Sequence, residues 1–255
     1  MPAYATAGNM ETAIQNGDVK TINSLLDNGY AIDAGDESGN TPLLLACFAG
    51  QEEAAQLLIE RGASVNIQPQ SHGLSPLLVA SAGGLQNTVN LLIVRGAQIQ
   101  ARGKRGQTAL YLAVFSKNFQ IIEKLLDAGA DPNLKDDLNQ APLYFAAHQG
   151  QVDMVKMLLE HGADVHNRGG ELEHDALMAA SIQGHYEIAK MLMEKDAKFH
   201  IPDKQGMTAL MFASQLGHMD IVNLMLGRYA HPMLSPFVES MEEKRAPVQK
   251  TQPVE

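Results

Sequence analysis

The stretch Asp136–Asn167, DDLNQAPLYFAAHQGQVDMVKMLLEHGADVHN, decides the fold. Ala141-Pro142-Leu143-Tyr144-Phe145-Ala146 opens a first helix and Gly150 stops it. Val152 to Glu160 then carries apolar residues at helical spacing, and Gly162-Ala163-Asp164 ends that second run. Each helix is about two turns long, below the ~12–15 residues at which an isolated helix becomes even marginal in water. The unit can fold only when stacked on copies of itself, each covering the apolar face of the next.

Those copies recur along the chain. Similar segments begin at Thr41 (TPLLLA), Ser75 (SPLLVA), Thr108 (TALYLA), Ala141 (APLYFA), Asp175 (DALMAA) and Thr208 (TALMFA), each 33 or 34 residues after the last. Glycines keep the same phase: Gly17, Gly50, Gly84, Gly150, Gly184 and Gly217 after the first helix, and Gly29, Gly62, Gly96, Gly129 and Gly162 after the second. The pattern resembles the ankyrin repeat, with its period of about 33 residues built on T-P-L-H-x-A. The resemblance implies an all-α solenoid of helix-turn-helix units with β-turn fingers. About seven units are expected within residues 1–231: 1–34, 35–67, 68–101, 102–134, 135–167, 168–200 and 201–231. The first is a partial N-terminal cap, in which Met10, Ala13 and Ile14 follow the core phase while Glu11, Gln15 and Lys20 stay polar. Ser235-Pro236 with Phe237, Val238 and Met241 predicts a capping helix over 232–245, and residues 246–255 have too little apolar content to fold alone.

Several departures from the family pattern carry their own expectations. The histidine of T-P-L-H, which in the family helps tie loops by hydrogen bonds, is replaced by Leu44, Leu78, Tyr111, Tyr144, Met178 and Met211, so apolar packing should take over. Lys117 stands where a helix-ending glycine belongs, with Asn118 next, and the left-handed turn is expected to shift onto the asparagine. Glu173 and Asp196 replace two further glycines, and Arg168 to His174 reads as the least regular finger.

Composition narrows the function. The formal net charge of −10 argues against nucleic acid or an anionic membrane as the main partner. The N-terminus lacks a basic-then-apolar leader, and no apolar run is long enough to span a bilayer, so the expected location is the cytoplasm. Cys47, the single cysteine, reads as inert core. The stretch Gly96 to Lys104 lacks the spacing and the following Ser or Thr of a phosphate loop. His185 and His218 fall one repeat apart, about 8–10 Å, too far to share a zinc ion bound at about 2.0–2.1 Å. Neither a cofactor nor an enzyme activity is expected.

The resemblance implies a protein-binding concave face lined by turn tips and by the exposed ends of the first helices. By phase it places Phe48, Phe115, His148, Ile182, Gln215 and Leu216 at helix ends, and His72, Leu74, Lys104, Arg105 and Leu138 at tips. The leading expectation is a monomeric, non-catalytic adaptor for another protein. Two alternatives stand beside it. One is a secreted bacterial effector acting in the host cytoplasm, motivated by Glu239, Glu242 and Glu243; the other is a hydrolase or metal protein using the loop histidines.

Overall fold

The structure, a computed structural model, describes residues 3–227, with side chains from residue 9. The expected capping helix over 232–245 and the tail 246–255 lie outside the described residues. Within them the chain forms seven helix pairs. These are α1 (Ala3–Gln15) with α2 (Val19–Asp27), α3 (Pro42–Phe48) with α4 (Glu52–Glu60), and α5 (Pro76–Gly83) with α6 (Gln86–Val94). The stack continues through α7 (Ala109–Phe115) with α8 (Phe119–Asp127), and α9 (Pro142–His148) with α10 (Val152–Glu160). It ends on α11 (Ala176–Gln183) with α12 (Tyr186–Glu194), and α13 (Ala209–Gln215) with α14 (Met219–Gly227). The odd-numbered helices pack against one another in one row, and the even-numbered helices lie behind them in a second, looser row.

Local chemistry sets the helix starts. Thr41, Ser75, Thr108, Asp175 and Thr208 are extended, and each side-chain oxygen accepts the backbone N–H three residues on, at 2.8–3.4 Å. Ala141 has the same extended backbone and no such bond. Five residues into each segment stands an alanine, Ala46, Ala80, Ala113, Ala146, Ala180 and Ala213, none exposing any surface. Only a short side chain fits there, because the first helices of neighbouring units lie in direct contact. Leu58, Leu92, Leu125, Leu158 and Leu192, one per unit in the second helices, are equally buried. Cys47 joins this core, and burial pushes its thiol up to about 12, so it is neutral at physiological pH.

Two expectations are corrected. Lys117 itself takes the left-handed conformation, at φ 60°, while Asn118 keeps φ −86° and starts α8. The turn does not shift, because Asn118 holds the N-cap backbone of the second helix that Leu85 and Gln151 also hold in their units, at φ −80 and −86°; its side-chain amide also reaches back to the Ser81 carbonyl at 3.2 Å. Glu173 and Asp196, the other two glycine replacements, also adopt positive φ. Apolar packing replaces the family histidine at Leu44, Leu78 and Met178, which are fully buried, but Tyr111 keeps a polar tie, its hydroxyl donating to Asp136 at 2.9 Å in the next finger. Met211 departs differently, with 48% of its surface exposed.

Polar ties of the same period join the fingers. Gln68 donates to the Arg102 carbonyl at 2.7 Å, Arg102 to Lys135 at 2.7 Å, Lys135 to Arg168 at 3.0 Å, and Arg168 to Pro202 at 2.6 Å. The series stops where Pro202 offers an acceptor but no side-chain donor. At the tips, backbone N–H groups of Asp137, Gly170 and Lys204 donate to the carbonyls of Arg105, Leu138 and Leu172. The irregular finger contains an isolated antiparallel bridge between Gly169 and His174. Gly169 lies so close to the Asn139 carbonyl that no Cβ would fit.

Candidate functional site

Between the fingers 103–107 and 136–140, the inner row of helices leaves an open groove of about 580 Å³. Its floor is aromatic. Tyr111 and Phe115 fall four residues apart on α7 and therefore on one face. Both meet Phe145 of α9 edge to face, with ring centroids 5.0 and 6.1 Å apart. Tyr144 supports Phe145 from behind at 5.4 Å. Leu112 completes the floor, and Arg105, Asp137 and Leu138 form the rim.

The rim is held by its polar groups. The Asp136 carboxylate accepts the backbone N–H groups of Leu138 and Gln140 at 3.0 and 2.9 Å, together with the Tyr111 hydroxyl. Burial, helped by the bond to Asp136 and its negative charge, pushes the Tyr111 phenol above its ordinary range, so it remains a donor. The Arg105 backbone is fixed at both ends, its N–H donating to the Gln107 side chain at 3.0 Å and its carbonyl accepting from Asp137.

The sequence-predicted residues divide by environment. Phe48, Phe115, Leu138 and Leu216 expose 47, 58, 63 and 52% of their surface, and Gln215 and His148 are also exposed. Arg105, Phe115 and Leu138 converge on the groove. Phe48 lies apart, in a smaller hollow against Ile14 and Leu45 and edge to face with His72 at 5.6 Å. His72 is half-buried, its Nε2 beside the Asn40 side-chain oxygen at 2.7 Å and its Nδ1 accepting from Leu74 N–H at 3.1 Å. Leu74 and Ile182 are half-buried, and the Lys104 ammonium donates to the Ser71 carbonyl at 2.6 Å, bridging two fingers. The sequence reading missed Tyr111 and Phe145 as groove residues. The i, i+4 pairing of Tyr111 with Phe115 was the available signal for the first; nothing local distinguishes Phe145 from a core residue.

Three of the histidines bond within the stack. His185 and His218 point back to the His148 and Ile182 carbonyls, each with Nε2 at 3.3 Å, and His174 pairs with Asp203 at 2.9 Å. Among the described residues no three His, Cys, Asp or Glu side chains gather closely enough to hold a metal ion, and no helix is long and apolar enough to cross a membrane.

With this geometry in view, the likeness to known proteins is direct. The family described as ankyrin repeats (3 copies) matches residues 10–103, 77–169 and 166–235. A putative ankyrin repeat-containing protein of Treponema pallidum is 38% identical over 130 residues, 51% of this chain and 44% of that protein. The human ankyrin repeat and SOCS box protein 3 is 29% identical over 132 residues, 51% of this chain and 20% of that protein. The chain thus spans less than half the length of either relative. Among solved structures, the ankyrin repeat domain of Bcl-3 superposes with a TM-score of 0.71 at 25% identity, covering 85% of this chain and 97% of that one.

Proposed function

We propose, from the premise that the chain belongs to the ankyrin-repeat family, that it is a non-catalytic interaction module binding another protein through the concave face of its stack. Repeats of this family serve in general as protein-interaction scaffolds. The observation that carries the reading here is the central groove, where Phe115 and Leu138 stand exposed on a hydrogen-bonded frame. An aromatic side chain that a partner buries fully contributes about 1.5–3 kcal/mol, roughly ten- to a hundredfold in affinity. The frame is already fixed, so little ordering cost falls on the protein when the partner arrives. Phe48 adds a second apolar anchor nearer the N-terminal cap. We place the protein in the cytoplasm and expect it to act as a monomer.

The test is capture of partners on the full chain, followed by affinity measurement on Phe115→Gln. Binding should weaken at least about tenfold while the denaturation midpoint barely moves, because a side chain this exposed has little packing to lose. A destabilised variant that still binds normally while folded would assign Phe115 to the core instead.

A further inference from the structure

Among the described residues, the charges around the groove leave one cation without a hydrogen-bonded or ion-paired partner. Finger 103–107 and its base supply three cations. Arg102 donates to the Lys135 carbonyl and approaches Asp137 at 3.8 Å, and Lys104 is taken by Ser71. The Arg105 guanidinium makes no side-chain hydrogen bond and has no carboxylate within 4 Å among the described residues, yet it lines the groove. Opposite it, the Asp136 carboxylate is satisfied by three donors, and Asp137 is turned toward Arg102. Below lies the uncharged aromatic floor.

We propose, resting on the concave-face reading above, that the groove receives a short segment of a partner protein in which a bulky apolar or aromatic side chain stands next to an Asp or Glu. The apolar side chain enters over Phe115 and Phe145, and the neighbouring carboxylate meets the Arg105 guanidinium in a two-point, charge-assisted contact. The fixed backbone of Arg105 directs its side chain from a set origin, so the separation of floor and cation selects the spacing of the two partner groups. A groove of about 580 Å³ suits a few residues rather than a folded domain.

The experiment selects binders from a random dodecapeptide display library on the full-length chain, then measures one enriched peptide by fluorescence anisotropy. Enriched peptides should share an aromatic or large aliphatic residue within two positions of Asp or Glu. Changing that carboxylate to its amide should weaken binding about tenfold on the wild type and less than twofold on Arg105→Gln. Equal weakening on both proteins, or enrichment without acidic residues, overturns the carboxylate assignment and leaves the concave-face reading standing. Binders indifferent to Phe115→Gln, or no enrichment above bare support, overturn both. Self-association of the full chain that Phe115→Gln abolishes would give the groove to a second copy and overturn the peptide assignment.

Discussion

At the scale of single residues, the repeat tolerates departures that its neighbours compensate. Lys117 holds φ 60° where the other units place glycine, and left-handed backbone costs an ordinary residue about 1–2 kcal/mol. Part of that returns as entropy when glycine is introduced, so Lys117→Gly should raise stability by about 0.5–1 kcal/mol. Ala141→Thr should add about 1 kcal/mol, since Ala141 already has the extended backbone of the capping threonines and lacks only the accepting oxygen. Chemical denaturation of each variant checks both, and a loss at either site would mean the local geometry is wrong. These positions were legible from the sequence, because a turn glycine or a cap acts on its own few residues. The holder of the left-handed turn was not, because Asn118 must keep the N-cap backbone of α8, which leaves the positive φ to Lys117.

At the scale of the finger, three carboxylates perform the same task. Asp36, Asp136 and Asp203 each accept two backbone N–H groups of their own turn. For Asp36 and Asp203 burial raises the pKa, but the donors outweigh it and the net shift is downward from 3.8. A carboxyl whose folded pKa lies below its unfolded one stabilises the fold above the unfolded value and loses that contribution as pH falls through the folded value. Acid should therefore weaken the end fingers below about pH 4. Comparing denaturation midpoints at pH 7 and pH 3, the double variant Asp36→Asn, Asp203→Asn should start lower and fall less than the wild type. An equal fall in both proteins would remove these carboxylates as the cause. Asp175 has the opposite sign: burial raises its pKa, so its ionised form opposes folding as pH rises through the folded value.

At the scale of the whole molecule, stability comes from the covered faces between units. Leu125 and Leu158 expose nothing, and each to alanine should cost about 2–5 kcal/mol through lost burial and the cavity left behind. Measured losses under ~0.5 kcal/mol, typical of surface sites, would show the phase to be misassigned. The run of donors from Gln68 to Arg168 couples the fingers along the same axis, so a defect in one unit is felt by the next.

The period, the helix pairs, the caps and the buried leucines follow from the sequence alone, because a repeat imposes the same short-range chemistry every 33 or 34 residues. The exposure of Phe48 and Phe115 followed too, since the phase that buries Leu125 turns them outward. The tertiary structure alone decided that Tyr111 bonds to Asp136, that Phe145 floors the groove, and that the Arg105 guanidinium has no hydrogen-bond or carboxylate partner among the described residues while Arg102 and Lys104 do. Those contacts join different units or fingers, and the stacking of whole units sets which side chains meet. No local pattern in the chain encodes that choice.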